Sequence, residues 1–227
     1  VTAGRIPVVF GIGGNNTHAL VEELEAFNTD GVSAILSASP YYNKPSQEGI
    51  YQHYAALSAA SPLPLILYNV PGRTSSNMSA QTTVRLAKNF GNIVAIKEAS
   101  GNLDQITEIL LERPADFQVI SGDDNLTFAM MALGAEGVIS VSGQGVPEVF
   151  CTMVNHLSAG QWIQARAAHL SIYDLTNQLF EEGNPVGIKA LLEARGITTA
   201  AVRLPLVEAS SDLKNSLIAS LEVLSLV

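Results

Sequence analysis

The chain has 227 residues and one cysteine, and 21 Asp and Glu outnumber 12 Lys and Arg to give a formal charge of −9. A single cysteine excludes a disulfide framework and a metal centre built from several cysteines. The acidic balance argues against nucleic-acid binding, and no uncharged apolar stretch reaches the roughly 18 residues of a membrane span. We therefore expect a soluble, cytoplasmic globular protein that acts on a small molecule.

Short apolar runs alternate with amphipathic stretches along the first two thirds of the chain. The runs are nearly continuous, which is typical of parallel strands buried on both faces. They lie at residues 7–12, 34–39, 64–70, 93–99, 117–123 and 137–142. Their ends recur about every 25 to 29 residues, the length of one βα unit. The pattern predicts six consecutive βα units.

The last third of the chain has no strand pattern. It predicts three helices, at residues 161–181, 185–195 and 212–224. We place the boundary between the βα domain (1–159) and a C-terminal helical domain (160–227) near Gly160. Six strands suit an open doubly wound sheet, whereas a closed (β/α)8 barrel needs eight, so periodicity alone leaves both folds open.

Lys97 is the strongest candidate for a catalytic residue. Ligands of parallel α/β folds bind at the carboxyl ends of the strands, where Lys97 closes the fourth run. Partial burial favours a free amine, and a free amine can form a Schiff base with a carbonyl substrate. Position alone leaves two alternatives open, a lysine that extends to solvent and one that pairs with Glu98.

Two further side chains follow the preceding run. Tyr68 ends that run, and because neighbouring strands lie about 4.8 Å apart, its hydroxyl can reach Lys97 and pass protons to it. Arg73 lies on the loop that follows and can bind a carboxylate through two parallel hydrogen bonds. The alternatives are a tyrosine with a solvated hydroxyl and an unspecific surface arginine.

Signals for a metal or nucleotide are weak. The glycine-rich segment 11–16 lacks the Gly-Lys-Ser/Thr of a P-loop and the acidic residue of a dinucleotide site. Asp123 and Asp124 have neither a histidine nor a third carboxylate nearby, and helix capping is the better interpretation. We expect no metal site.

Four segments taken together resemble the dihydrodipicolinate synthase family. They are Ser39-Pro40-Tyr41-Tyr42-Asn43-Lys44, Tyr68-Asn69-Val70-Pro71-Gly72-Arg73-Thr74, Ile96-Lys97-Glu98-Ala99-Ser100-Gly101 and Ser121-Gly122-Asp123-Asp124. The resemblance covers nearly the whole chain. It implies an α/β fold, a TIM (β/α)8 barrel of the class I aldolase type followed by a C-terminal helical domain. The six runs then correspond to units three to eight, with the first two βα units absent.

The resemblance also implies roles for individual residues. Lys97 would form a Schiff base with pyruvate, and Tyr68 would move protons to and from it. Arg73 would bind the carboxylate of the second substrate, L-aspartate 4-semialdehyde. The backbone carbonyl of Ile139 would lie near the imine, and Gly122 would line the same cavity.

Assembly and regulation are implied in the same way. Tyr42 would complete the proton relay in a neighbouring subunit, so we expect a homo-oligomer, a tetramer built as a dimer of dimers. Asn15 and Tyr41 match an allosteric lysine site at a subunit interface. Ala19 stands where lysine-sensitive members carry an acidic residue, so we expect weak or no inhibition by lysine.

The implied reaction condenses pyruvate with L-aspartate 4-semialdehyde in lysine and diaminopimelate biosynthesis, without a metal or redox cofactor. Sibling pyruvate aldolases, N-acetylneuraminate lyase and the 2-keto-3-deoxy sugar acid aldolases, share the lysine and the tyrosine. The turn of Gly72, Arg73 and Thr74 favours the synthase, because those lyases generally lack the arginine. An inactive fragment or a non-catalytic homologue is the further alternative, since the family's Gly-Thr-Thr-Gly-Glu-type loop would lie in the absent units.

Overall fold

Six parallel strands form the sheet of the protein. The computed structural model describes residues 2–226, and in that range the strands pair in chain order, each parallel to the next. The strands are β1 (Val9–Gly11), β2 (Ala34–Ala38), β3 (Leu65–Asn69), β4 (Ile93–Glu98), β5 (Gln118–Ser121) and β6 (Gly137–Val138). Each predicted run contains one strand, which is shorter than the run that predicted it.

Helices connect the strands and make up most of the chain after β6. They are α1 (Thr17–Glu25), α2 (Gln47–Ala60), α3 (Pro71–Thr74), α4 (Ala80–Asn89), α5 (Leu103–Glu112), α6 (Thr127–Leu133), α7 (Ser142–Gly145), α8 (Pro147–Ser158), α9 (Trp162–Ser171), α10 (Tyr173–Glu181), α11 (Val186–Ala194) and α12 (Ser211–Val223). Ser46, Ser79 and Asn102 cap α2, α4 and α5 by accepting hydrogen bonds from first-turn N–H groups. None of the helices within residues 2–226 is long and apolar enough to cross a bilayer.

The alternation of side chains along the strands separates two faces of the sheet. Ala34, Ile66 and Ala95 form a buried cluster against which Leu36 and Ile120 pack. The residues that alternate with them face the connecting helices, where Tyr54 of α2 donates a hydrogen bond to a strand carbonyl. Strands of this composition, in chain order and joined by helices, have the arrangement of consecutive units of a (β/α)8 barrel.

The described chain divides into two compact units. The first runs up to Asp123 and includes Leu133–Ile139, and the second comprises Asp124–Ala132 and the chain from Ser140 onward. All eight predicted site residues belong to the first unit. The predicted domain boundary between residues 159 and 160 stays a prediction.

The second unit is helical. Helices α10, α11 and α12 contact one another around fully buried leucines, among them Leu179, Leu191 and Leu217. At Gly187 the backbone of α11 approaches Leu179 so closely that a Cβ atom would collide with its carbonyl oxygen. A glycine is therefore required where α11 crosses α10.

The long helix predicted at residues 161–181 is two helices in the structure. Helix α9 ends at Ser171 and α10 begins at Tyr173, with Ile172 between them almost completely buried. The Ser171 hydroxyl donates to the carbonyl of Ala168, a local bond that competes with continued helix. The apolar period gives no sign of this interruption, so the prediction of one helix was wrong.

Candidate active site

Backbone hydrogen bonds continue past the carboxyl ends of the strands and hold the ends of neighbouring strands in alignment. The bonds run from Ser39 N to Tyr68 O (2.9 Å), from Ala99 N to Asn69 O (2.8 Å), from Gly122 N to Glu98 O (2.8 Å) and from Ile139 N to Ser121 O (2.9 Å). Side chains on the inner face of β3 to β6 therefore meet at one edge of the sheet. This is the edge where ligands of parallel α/β proteins bind.

Lys97 and Tyr68 lie side by side at that edge. They are paired residues of β4 and β3, and the Lys97 Nζ atom lies 4.3 Å from the centroid of the Tyr68 ring. Both residues are half-buried. An amine and a phenol on paired strand residues can both reach one molecule bound at this edge.

The environment of the Tyr68 hydroxyl favours its neutral form. Burial raises the pKa of Tyr68 above its ordinary value of 10.0, and the positive charge of Arg73 opposes that rise in part. The phenol is therefore protonated at neutral pH and can act as a hydrogen-bond donor.

Gly122 gives Lys97 the room that its side chain occupies. A Cβ atom at Gly122 would lie 2.9 Å from Lys97 Cε, 3.0 Å from Lys97 Cγ and 2.9 Å from Ala99 Cβ. Real Cβ atoms do not approach other carbons so closely, so any side chain here must push Lys97 aside. The structure thus connects the glycine after β5 to the position of the amine on β4.

Replacing Gly122 by alanine is expected to slow imine formation with pyruvate by about 100-fold, because a displacement of the amine on the order of 1 Å suffices for such a loss. The measurement is the rate of borohydride-trapped adduct formation. Gly91→Ala is the matched control, since a Cβ atom there meets nothing within 4 Å. An unchanged rate in Gly122→Ala would contradict the packing argument.

Arg73 lies on a short helical turn that the sequence analysis read only as a loop. The turn α3 begins at Pro71, and Ser75 ends it in the left-handed conformation with φ 57°. Arg73 is exposed, and its positive charge acts to lower the pKa of Tyr68. An exposed guanidinium whose charge acts on Tyr68 is able to bind a carboxylate, so the role of Arg73 stays a prediction.

Tyr42 projects from a constrained loop. Its φ of 71° lies in the left-handed region, where a tyrosine costs about 1–3 kcal/mol. Its N–H donates to the carbonyl of Thr74 at 3.4 Å, which ties the loop to the turn that carries Arg73. The side chain is 87% exposed, more than any other aromatic residue among the exposed apolar side chains.

The predicted allosteric residues are in contact with each other. Asn15 Nδ2 donates to the carbonyl of Tyr41 at 3.1 Å, and Asn43 Nδ2 donates to the carbonyl of Asn15 at 3.3 Å. Ala19 lies in the first turn of α1, where its N–H bonds the capping Asn16. The weak response to lysine stays a prediction, as do the roles of Asn15 and Tyr41.

The sequence left open a pairing of Lys97 with Glu98, and the structure contradicts it, because the Glu98 carboxylate is buried among other partners. Glu98 is completely buried and accepts hydrogen bonds from Asn69 and Gln105 on the helix side of the sheet. Consecutive strand residues point to opposite faces, so Glu98 points away from the face that carries Lys97. An acidic residue in an apolar run was the only signal in the sequence.

Within the described residues, no group of three or more His, Cys, Asp and Glu side chains is placed to hold a metal ion.

Known proteins are similar to this chain in sequence and in fold. The model of the dihydrodipicolinate synthetase family matches residues 1–224. The 4-hydroxy-tetrahydrodipicolinate synthase of Parabacteroides distasonis is 54% identical over 204 residues, which is 90% of this chain and 69% of the relative. The crystal structure of dihydrodipicolinate synthase from Aquifex aeolicus matches with a TM-score of 0.95 and 40% identity, over 99% of this chain and 77% of its own.

A second solved structure is the chloride-inhibited dihydrodipicolinate synthase from Acinetobacter baumannii complexed with pyruvate. It matches with a TM-score of 0.94 and 38% identity, over 100% of this chain and 77% of its own. These matches confirm the predicted fold class, a (β/α)8 barrel of which the chain supplies six parallel units. With a family model over nearly its whole length and a relative at 54% identity, the chain belongs to the dihydrodipicolinate synthetase family.

Proposed function

We propose that this protein is a Schiff-base synthase that condenses pyruvate with L-aspartate 4-semialdehyde, a step of lysine and diaminopimelate biosynthesis. The placement of Lys97 Nζ 4.3 Å from the Tyr68 ring centroid, at the carboxyl ends of paired strands, is the observation that carries the proposal. The name of the Parabacteroides relative and the pyruvate in the Acinetobacter structure support it. The single cysteine agrees with a cytoplasmic location.

The first half of the reaction takes place on Lys97. Its neutral amine attacks the ketone carbon of pyruvate, and the resulting carbinolamine loses water to give an imine. The imine withdraws electrons, so a proton leaves the pyruvate methyl group and an enamine forms. Tyr68 supplies the proton that the departing hydroxide needs and receives one back in a later step.

The second half joins the two substrates. Arg73 binds the carboxylate of aspartate semialdehyde at the mouth, which aims the aldehyde at the enamine. The enamine carbon attacks the aldehyde carbon and forms the new carbon–carbon bond, and the alkoxide takes up a proton. The amino group of the second substrate then attacks the imine carbon, closes the ring and releases Lys97 as a free amine.

A substrate comparison distinguishes this reaction from that of the sibling aldolases. The protein is incubated with pyruvate and either aspartate semialdehyde, N-acetylmannosamine or an aldose-derived aldehyde, and pyruvate consumption is followed. We expect consumption only with aspartate semialdehyde, because Arg73 provides a carboxylate partner that a neutral sugar cannot use. Consumption with a sugar would assign the protein to the aldolases, and failure to bind pyruvate covalently would make it a non-catalytic homologue.

The homo-oligomer is also a proposal, and it rests on Tyr42. Its strained backbone and its 87% exposure support a contact of Tyr42 with a neighbouring subunit. We propose that it completes the proton relay there, in a dimer that pairs further into a tetramer.

Mixing two impaired variants tests this arrangement. Tyr42→Phe is expected to lower turnover by about 10- to 100-fold, through loss of one proton-transfer group. When Tyr42→Phe subunits are exchanged with Lys97→Met subunits, mixed dimers regain sites that contain both groups. Activity above that of either variant alone is the expected result. No recovery, in a sample shown by native mass spectrometry to contain mixed oligomers, would contradict a relay shared between subunits.

A further inference from the structure

The helix side of the sheet carries a polar network directly behind the proposed reactive pair. Asn69 follows Tyr68 on β3, and Glu98 follows Lys97 on β4; the two are paired residues of the sheet and both are completely buried. Asn69 Nδ2 donates to Glu98 Oε2 at 3.0 Å and lies 3.3 Å from Oε1. A side-chain bridge thus joins the two strands one residue beyond the reactive pair.

Two other donors hold the Glu98 carboxylate in place. The N–H of Ser100 donates to Oε1 at 2.6 Å, and Gln105 Nε2 of helix α5 donates to Oε2 at 3.2 Å. Each oxygen therefore accepts at least two contacts from neutral donors of fixed orientation. These hydrogen bonds restrict the Glu98 side chain to one rotamer, because rotating the carboxylate would leave several buried donors without an acceptor.

The network also reaches the segment that follows the turn α3. The Asn69 oxygen accepts from the backbone N–H of Met78 at 3.0 Å, and Asn69 Nδ2 donates to Asn77 at 2.8 Å. Asn77 in turn donates to Gln105 at 2.7 Å. The segment that follows α3 is thereby anchored to the same carboxylate as the end of β4.

We propose that Glu98 is a positioning residue that, through Asn69 and Gln105, fixes the carboxyl ends of β3 and β4 and so sets the placement of the Lys97 amine against Tyr68. This inference rests on the proposed function, because it assigns Glu98 a role in imine formation on Lys97. It also gives a reason for a buried acidic residue in an otherwise apolar strand, a costly choice that an apolar side chain would avoid if only the fold were served.

The test replaces Glu98 with the isosteric glutamine. In Glu98→Gln one carboxylate oxygen becomes an NH2 group, which faces the donor of Asn69 and that of either Ser100 or Gln105, so the bridge between the strand ends is weakened while side-chain volume is kept. The rate constant for imine formation is measured from a time course of borohydride trapping with pyruvate, at several pyruvate concentrations and pH values. We expect the maximal rate to fall by about 10- to 100-fold, because displaced reacting groups lose this much.

Asn92→Asp is the matched control. Asn92 precedes β4 at its other end, where its amide donates to the Ser58 carbonyl at 2.8 Å and accepts from the Ser58 hydroxyl. The change is likewise isosteric and likewise breaks a hydrogen bond that anchors this strand. A purely structural loss lowers the amount of folded protein in both variants and leaves the rate constant per folded site unchanged. We expect Asn92→Asp to yield less folded protein with an unchanged rate constant, whereas in Glu98→Gln the rate constant itself falls.

A double variant tests for rescue. In Asn69→Asp with Glu98→Gln, the glutamine amide can donate to the aspartate, which restores the bridge with its polarity reversed. We expect imine formation to recover at least several-fold over Glu98→Gln. If Glu98→Gln does not fold, Asn77→Ala replaces it: this exposed residue contributes only peripheral bonds, and a loss of about 2- to 5-fold in the rate constant is expected.

The outcomes separate this inference from the proposed function. If the unmodified protein forms no adduct with pyruvate, the proposed function fails, and the positioning role with it. If the unmodified protein forms the adduct and Glu98→Gln forms it at the same rate, only the positioning role is overturned. An equal loss of rate constant in Glu98→Gln and Asn92→Asp, or no rescue in the folded double variant, would also overturn it.

Discussion

Replacing Lys97 by methionine is expected to abolish the condensation of pyruvate with aspartate semialdehyde, with a loss of about 10⁴-fold or more, the order found when a covalent nucleophile is removed. Methionine keeps the unbranched shape of the side chain and removes only the amine. Lys97 is half-buried on β4, so the substitution adds little exposed apolar surface.

Steady-state turnover under saturating substrates measures this effect. Lys88→Met is the control, because Lys88 lies on the surface of α4 in a weak ion pair with Glu112, with an N–O distance of 4.0 Å. The control is expected to keep full activity and to lose little stability, as surface pairs contribute about 0–1 kcal/mol. Turnover by folded Lys97→Met within tenfold of the unmodified protein would contradict a covalent role for Lys97.

Replacing Tyr68 by phenylalanine is expected to lower turnover by about 10²- to 10⁴-fold, the usual contribution of a positioned proton donor. The ring remains beside Lys97, so the contact between the amine and the aromatic face is kept. Only the hydroxyl is lost, whose raised pKa keeps it protonated at neutral pH. We therefore expect slow imine formation with little change in the affinity for pyruvate.

Tyr54→Phe provides the control for the loss of a buried phenol hydroxyl. The Tyr54 hydroxyl donates to the carbonyl of Ser37 at 2.8 Å, on the helix side of the sheet. Its removal is expected to cost about 1–3 kcal/mol of stability, because a buried carbonyl loses its donor, and to leave the turnover of the folded protein unchanged. Similar losses of turnover in Tyr68→Phe and Tyr54→Phe would show that Tyr68 supports the fold rather than the chemistry.

Much of the site is predictable because strand ends in a parallel sheet share one edge. The spacing between Tyr68 and Lys97 equals one βα unit, so the two residues fall on paired positions without any knowledge of the fold's details. The six strands are predictable for a similar reason, since burial on both faces requires continuous apolar runs. The capping residues Ser46, Ser79 and Asn102 mark helix starts by local hydrogen-bonding chemistry alone.

Other parts of the site leave no periodic trace in the sequence. The bonds of Glu98 to Asn69 and Gln105 join side chains on three elements, and long-range polar pairing has no spacing rule. The positive φ of Tyr42 is equally hidden, because this conformation normally selects glycine or asparagine. A glycine is needed at position 122 because the Lys97 side chain, on another strand, occupies the space of a Cβ atom, so only the folded structure shows this requirement.

The mass of the protein after incubation with pyruvate and borohydride tests the central claim most directly. Borohydride reduces an imine to a stable amine, which leaves the protein heavier by one pyruvate less water plus two hydrogen atoms. The account predicts one such addition per chain, mapped by peptide analysis to Lys97 and not to Lys44, Lys88, Lys189 or Lys214. No added mass on the folded protein, or an addition on another lysine, would contradict the lysine mechanism.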